Sequence, residues 1–189
     1  FVTHKHIDHV MGIIWMLRMI CQNMNAGKYQ GEAYIYAHQE LTEMLRTLAE
    51  MLLNQKETKL IGDRVHLVPV SDGEQKKILG HTYTFFDIGS TKANQYGYMC
   101  DLGDGRKLTC CGYNDREEPY AAGSDWLLHE AFCLNGQADI FHPYEKHHST
   151  VKDACELAER LYVKNLVLYH TEDKNIARRQ ELYRAEGEQ

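Results

Sequence analysis

The residues with the clearest chemistry stand at the start of the chain. Residues 4–9 follow the pattern H-x-H-x-D-H, with three histidines and one aspartate at His4, His6, Asp8 and His9. Imidazole nitrogens and carboxylate oxygens are ligands for zinc and its neighbours. In an extended segment His4 and His6 point to one side, and Asp8 and His9 follow at a second position. The spacing predicts a site for two adjacent metals; a solvated histidine-rich loop is the alternative.

The flanking residues indicate how this motif is held. Phe1 and Val2 resemble the end of a strand, and the apolar pattern of residues 10–24 predicts a buried helix that anchors the loop. Because the chain opens directly on such a strand end, we expect it to be a fragment of a longer protein that lacks the strands before Phe1.

A further histidine follows an apolar strand late in the chain. Residues 166–169 predict a buried strand that ends on His170, with polar Thr171, Glu172 and Asp173 behind it. Ends of strands are where α/β folds place ligands. We therefore predict a metal role for His170, although a lone histidine at such a position is more often structural.

A pair of histidines precedes a predicted helix. Thr150 is a good N-cap for a helix over residues 151–160, with Asp153 three residues on. Free N–H groups and the helix dipole would favour an anion such as phosphate there, so we expect His148 to act as a general acid. The alternative is that His147 and His148 are exposed loop residues.

One carboxylate could orient such an imidazole. His129 and Glu130 end a predicted strand at residues 126–129, so Glu130 could serve as an outer partner of a histidine. An exposed strand end is an equally good interpretation of this pair.

The rest of the chain completes an α/β pattern without a linker or repeat. Alternation and helical spacing predict further strands at 33–37, 65–70, 76–79, 81–88, 98–102 and 107–111, and helices at 39–53 and 176–184. At 189 residues the length suits a single domain over residues 1–189.

Composition narrows the classes of partner. A formal charge of −6 gives no general attraction for nucleic acid, which disfavours such a substrate. Six cysteines without a C-x-x-C pair predict reduced thiols in a cytoplasmic protein. The apolar run at residues 10–20 is short and interrupted by Arg18, so we expect no membrane partner.

Together these motifs resemble the metallo-β-lactamase superfamily, and within it the ribonuclease Z-like branch. The resemblance is carried by H-x-H-x-D-H at residues 4–9, by His129-Glu130-Ala131, by His148-Ser149-Thr150 and by His170. It implies an α/β fold, the αββα metallo-β-lactamase sandwich, here without its N-terminal strands. It also implies a dinuclear centre, usually zinc.

The resemblance assigns roles residue by residue. His4 and His6 would bind the first metal, and Asp8, His9 and His170 the second. We expect one or two Zn2+, with Mn2+ or Fe2+ also compatible with mixed histidine and carboxylate ligands. Asp8 would also orient the metal-bound water and accept its proton, and the resemblance makes His148 the catalytic histidine.

The chain departs from the family pattern at two positions. Gly89 stands where the family usually has a further histidine ligand, and glycine cannot bind a metal. The bridging aspartate is expected directly after Gly112, but the nearest carboxylate is Asp115. Either Asp115 serves as a metal ligand through a shifted loop, or the segment has lost residues. His81 superficially matches a Gly-His-Thr ligand motif, yet it begins a strand, so we interpret it as structural.

These expectations favour metal-assisted hydrolysis of a small phosphodiester or ester. Transfer RNA is an unlikely substrate, because the arm that grips it in ribonuclease Z would fall between residues 98 and 111, where only a short hairpin is predicted. Alternatives are a thioester or lactone hydrolase of the same superfamily, and a degenerate, non-catalytic metal-binding domain. A homodimer is compatible with the resemblance, since family members often dimerise.

Overall fold

The computed structural model describes residues 1–112 and 118–188, with Glu118 described by its backbone alone. Two compact units make up the chain. Unit 1 comprises Phe1–Asp72 and Ala93–Tyr96, and unit 2 comprises Gly73–Lys92 and Gly97–Gln189. The single domain over residues 1–189 stays a prediction.

Unit 1 is built on a parallel pair of strands, β1 (Ala33–His38) and β2 (Val65–Val70). Its helices are α1 (Ile7–Asn25), α2 (Gln39–Leu52) and α3 (Gln55–Thr58). The predicted strands and the helix at 39–53 are thereby confirmed. Side chains that are completely buried at the centre of this unit are Leu17, Cys21, Ala37, Leu45, Ala49 and Val65.

Helix α1 differs from the buried helix predicted for residues 10–24. One face is buried as expected, through Val10, Ile13, Ile14, Leu17, Cys21 and Met24. The other face exposes Ile7, Met11, Trp15, Met16 and Met19. The prediction is therefore wrong for half of the helix, because its apolar residues occupy both faces and only one face is buried. None of the described helices combines the length and apolar character needed to cross a membrane.

Unit 2 contains a six-stranded sheet whose strands follow chain order from β3 to β8. Its strands are β3 (Gln75–Ile78), β4 (His81–Asp87), β5 (Tyr96–Gly103), β6 (Arg106–Cys111), β7 (Trp126–Glu130) and β8 (Leu166–Tyr169). The predicted hairpin is confirmed, since β5 and β6 pair antiparallel.

The last three strands of this sheet run parallel and set up a site. β7 pairs with β6 on one side and with β8 on the other. Glu130 lies opposite Tyr169, at the carboxyl ends of β7 and β8. Because parallel strands end at the same edge, the residues after them come together. Glu130 and His170 are thus brought to one edge of the sheet.

The helices of unit 2 are α4 (Glu118–Ala121), α5 (Ala138–Phe141), α6 (Val151–Arg160) and α7 (Arg179–Gly187). Helix α6 matches its prediction, including a capping box between Thr150 and Asp153. The predicted helix at 176–184 instead begins at Arg179. The preceding residues form turns, and the Glu172 carboxylate accepts the N–H of Asn175 at 3.1 Å.

Candidate functional site

The H-x-H-x-D-H motif lies partly in extended chain and partly in a helix. The N–H of Val2 donates to the carbonyl of Tyr36 at 2.9 Å, and the N–H of Tyr96 donates to the carbonyl of Thr3 at 3.0 Å. The entry to the motif is therefore held by two neighbouring segments of unit 1. Helix α1 begins at Ile7, so Asp8 and His9 sit in its first turn rather than in a loop.

The four side chains of the motif meet in unit 1, and we call them the N-terminal cluster (His4, His6, Asp8 and His9). His4 Nε2 lies 2.9 Å from His6 Nδ1, and their ring centroids are 4.4 Å apart. His9 Nε2 lies 3.3 Å from Asp8 Oδ2, and the His4 and His9 rings are 4.1 Å apart.

The donor types of this cluster suit a metal. The N-terminal cluster places two imidazole nitrogens, from His4 and His6, in direct contact, and beside them a nitrogen of His9 and a carboxylate oxygen of Asp8. Mixed nitrogen and oxygen donors of this kind are the set that zinc binds. His4 is only 7% exposed, so its orientation is fixed by packing.

A second cluster lies in unit 2, and we call it the Glu130 cluster (Glu130, His148 and His170). Glu130 Oε2 lies 2.7 Å from His148 Nδ1 and 3.4 Å from His170 Nδ1. Glu130 Oε1 accepts the backbone N–H of Ser149 at 2.8 Å. A single buried carboxylate thus contacts both imidazoles and the start of the H-S-T segment.

The charge of Glu130 follows from these contacts. Burial would raise the pKa of this carboxyl, but hydrogen bonding to His148 and His170 and the Ser149 N–H outweigh it and bring the pKa to about 2. Glu130 is therefore ionised at neutral pH. Its oxygens are already committed to protein donors, so we assign it to orienting the imidazoles rather than to holding a metal, although the three groups are close enough to hold an ion.

Aromatic contacts restrain the ring of His148 as well. The Phe132 ring stacks on His148 with centroids 4.8 Å apart, and His148 stacks on His170 at 5.2 Å. His148 thus contacts two rings and, through Nδ1, a carboxylate. A histidine fixed in this way has a defined direction for its second ring nitrogen.

The predicted anion site at the start of α6 stays a prediction. Three of the N–H groups at this helix start already have partners within the protein. The N–H of Val151 donates to the carbonyl of Cys133, that of Thr150 donates to Asp153 Oδ2, and that of Asp153 donates to Thr150 Oγ1. The helix start therefore has fewer free donors than the sequence indicated.

The structure decides between alternatives for the neighbouring histidines. His129 and Glu130 are 2% and 6% exposed, so an exposed strand end is excluded for them. His147 is exposed and has a left-handed backbone with φ of 55°, which matches the interpretation of it as a loop residue.

The departures from the family pattern have different outcomes. Gly89 adopts a left-handed φ of 71°, and its N–H donates to Asp87 Oδ1 at 2.8 Å, so a turn stands where a ligand was expected. Asp115 lies outside the described residues. His81 opens β4, is exposed and contacts the Asp101 carbonyl at 3.2 Å, in keeping with a structural role.

The predicted second-metal set joins residues of both units. The structure brings Asp8 and His9 together in unit 1 and places His170 in the Glu130 cluster of unit 2. Their grouping around one metal stays a prediction. Sequence reasoning gave no role to Thr3 and Phe132. The position of Thr3 directly before the motif was the available signal, and for Phe132 there was none.

Comparison with known proteins finds a family whose sequence pattern matches most of the chain. The sequence profile described as "Beta-lactamase superfamily domain" matches residues 1–171. Over 70 residues the chain is 42% identical to a protein named Ribonuclease Z from Shouchella clausii (strain KSM-K16). That alignment covers 37% of this chain and 22% of the length of that relative.

Solved structures share the fold. The metallo-beta-lactamase fold protein YhfI from Bacillus subtilis superposes with a TM-score of 0.71 at 17% identity, covering 98% of this chain and 69% of that chain. The human tRNase Z, short form, superposes with a TM-score of 0.66 at 20% identity, covering 93% of this chain and 73% of that chain. Zn(2+)-bound PqqB from Methylobacterium extorquens superposes with a TM-score of 0.67 at 16% identity, covering 98% of this chain and 66% of that chain. The predicted αββα metallo-β-lactamase fold is thereby confirmed, and the chain belongs to the beta-lactamase superfamily domain family.

Proposed function

We propose that this protein is a metal-dependent hydrolase of the phosphodiesterase type. The observation that carries the proposal is the pairing of His148 with the buried, ionised Glu130 at 2.7 Å. A carboxylate that fixes one ring nitrogen leaves the other directed for proton transfer. The local identity to a ribonuclease Z supports phosphodiester chemistry in particular.

The N-terminal cluster would hold the metal, through His4, His6, Asp8 and His9. We propose zinc, as one ion or two, with manganese or iron as substitutes. When bound, such a metal lowers the pKa of a coordinated water and polarises the scissile group. Asp8, whose side chain is 55% exposed, would accept a proton from the attacking water.

His148 would act on the leaving group. Its side chain is a quarter exposed, at 25%, so it can reach a substrate while Glu130 and Phe132 hold the ring. Donation of a proton from His148 to the departing oxygen completes hydrolysis.

A thioester or lactone hydrolase is the second candidate. Three N–H groups at the start of α6 are bonded within the protein, so fewer donors are left there for a phosphate than the sequence indicated. This observation weakens one reason to prefer a phosphodiester. Gly89, in place of a ligand, likewise keeps a degenerate metal-binding domain as a third outcome.

We propose that the substrate is small. The hairpin between β5 and β6 turns through Asp104 and Gly105, without an inserted arm. A transfer RNA is therefore not the substrate we propose.

The test combines metal content with turnover. Elemental analysis of the purified chain and hydrolysis of bis(p-nitrophenyl) phosphate would be measured for wild type and for Asp8→Ala, with a thioester and a lactone assayed in parallel. We expect one or two metals per chain and a loss of at least about 100-fold in the variant. Asp63→Ala, an exposed aspartate elsewhere in unit 1, is the matched control and should keep full activity.

Each other outcome has a defined meaning. Turnover of the thioester or lactone alone would identify the second candidate. One bound metal or none, with no turnover of any ester, would contradict a hydrolase and leave the degenerate domain.

A further inference from the structure

The hydroxyl of Thr3 contacts two histidines of the N-terminal cluster. Thr3 Oγ1 lies 2.9 Å from His4 Nδ1 and 3.2 Å from His9 Nδ1. Both contacts use Nδ1, the ring nitrogen nearer to Cβ, so Nε2 of each ring is not used by Thr3. Nothing in the H-x-H-x-D-H pattern requires a hydroxyl at this position.

The chemistry of the hydroxyl determines what these contacts can do. A threonine oxygen has two lone pairs and can accept two hydrogen bonds. A neutral histidine that offers Nε2 to a metal carries its proton on Nδ1. Both rings can therefore donate Nδ1–H to the single Oγ1 at the same time.

We propose that Thr3 is a positioning residue that fixes His4 and His9 as Nδ1–H tautomers and so presents Nε2 of each ring to the metal. This inference rests on the proposed function, since it assumes that the N-terminal cluster binds metal. Metal-bound histidines commonly donate their second ring N–H to a carboxylate, a carbonyl or a water. Here one threonine hydroxyl would accept the Nδ1–H of two histidines.

The surrounding contacts agree with this tautomer. With the proton on Nδ1, His4 Nε2 can accept from His6 Nδ1–H, and these atoms are 2.9 Å apart. His9 Nε2 and Asp8 Oδ2, 3.3 Å apart, would then both be electron-pair donors. Two such atoms side by side are complementary to a cation.

Thr3 is also well placed to act as a fixed support. Its carbonyl accepts the N–H of Tyr96, and the preceding N–H of Val2 is bonded to Tyr36. The β-branched side chain has few rotamers, so a held backbone fixes the hydroxyl. The support is thus rigid before any metal arrives.

The test separates the hydroxyl from the shape of the side chain. Thr3→Val keeps the shape and removes the hydroxyl, whereas Thr3→Ser keeps the hydroxyl and removes the methyl. Zinc affinity of the full chain would be measured by competition with a chromogenic chelator. We expect Thr3→Val to weaken zinc binding about 10- to 100-fold, and Thr3→Ser to stay within about threefold of wild type.

A spectroscopic readout needs no variant. The ring nitrogen chemical shifts of histidine in the metal-free wild type should report the Nδ1–H tautomer for both His4 and His9. If thermal unfolding shows that Thr3→Val is not folded, Thr3→Ala compared with Thr3→Ser isolates the hydroxyl equally well.

The outcomes distinguish this inference from the proposed function. Zinc binding in wild type with unchanged affinity in Thr3→Val, or equal losses in the valine and serine variants, would overturn the role of Thr3 and leave the hydrolase intact. An Nε2–H tautomer at either ring would also overturn it. A wild type that binds neither zinc nor manganese nor iron would overturn both proposals.

Discussion

Glu130 Oε2 and His148 Nδ1 lie 2.7 Å apart, although 18 residues of chain separate them. The contact exists because β7 ends at Glu130 and because the Ser149 N–H and hydroxyl bind the same carboxylate. The charged Glu130 side chain therefore connects the His148 ring with the start of helix α6.

Removing that charge should impair hydrolysis. In Glu130→Gln one accepting oxygen becomes an NH2 group, so the carboxamide cannot serve both His148 and Ser149 as the carboxylate does. We expect turnover of an activated phosphodiester to fall about 10- to 100-fold. Glu156→Gln, on the exposed face of α6, is the control and should behave as wild type. Unchanged turnover in Glu130→Gln would show that orientation of His148 does not matter for the reaction.

Substitutions of the two adjacent histidines should differ sharply in their effect on turnover. His148→Ala removes the proposed proton donor, so we expect a loss of turnover of about 100-fold or more with no change in zinc content. His147→Asn is the matched control, because asparagine tolerates the left-handed backbone of that exposed position. Steady-state kinetics with metal analysis would check both. Equal effects of the two substitutions would argue against a catalytic role for His148.

Two glycine substitutions should change stability in opposite directions. A Cβ at Gly97 would lie 2.6 Å from the Cys110 carbonyl oxygen and 2.8 Å from the Phe86 ring, so Gly97→Ala should lower the free energy of unfolding by about 1–3 kcal/mol. In α1, a Cβ at Gly12 meets nothing within 4 Å, and Gly12→Ala should raise it by about 0.5–1 kcal/mol. Urea unfolding measures both. A neutral Gly97→Ala would mean that β5 and β6 can separate at little cost.

A residue with a left-handed backbone, Tyr162, follows the end of helix α6. Tyr162 has φ of 55°, and the Tyr162 and Val163 N–H groups bond to the carbonyls of Glu159 and Ala158 in a Schellman motif. Tyr162 is 84% exposed, so Tyr162→Gly loses little packing and removes the left-handed penalty. We expect a gain of about 0.5–1 kcal/mol in the free energy of unfolding. Tyr162→Ala, which keeps the penalty, should bring no such gain in the same urea titration.

Asp125 should make stability depend on pH in the acid range. Its carboxylate accepts from Lys164 Nζ at 2.7 Å and from the Lys107 N–H at 2.9 Å, and these bonds lower its pKa below the ordinary 3.8. A pKa lowered by folding stabilises the protein above the unfolded value and ceases to do so as pH falls through the folded value.

We therefore expect Asp125→Asn to be less stable than wild type at neutral pH, with a difference that narrows as pH falls below about 4. Urea midpoints across the acid range would check this, with the exposed Asp139→Asn as the control. A difference that stays constant with pH would exclude the carboxylate charge as its cause.

Most of the secondary structure and half of the candidate site could be predicted from the sequence. Periodicity is a local property, so β1, α2, the hairpin of β5 and β6, and α6 with its cap all lie where the pattern indicated. The N-terminal cluster was predictable for the same reason, since its ligands are spaced within six residues.

The features of the site that only the tertiary structure decided depend on contacts between residues distant in the chain. The burial of Glu130, its bond to His148 and its contact with His170 arise only when β7 and β8 pair and α6 is docked. At the helix start predicted as an anion site, the Val151 N–H donates to the carbonyl of Cys133, which lies 18 positions earlier in the chain. Sequence determined which donors and acceptors are present, and packing determined which of them satisfy one another.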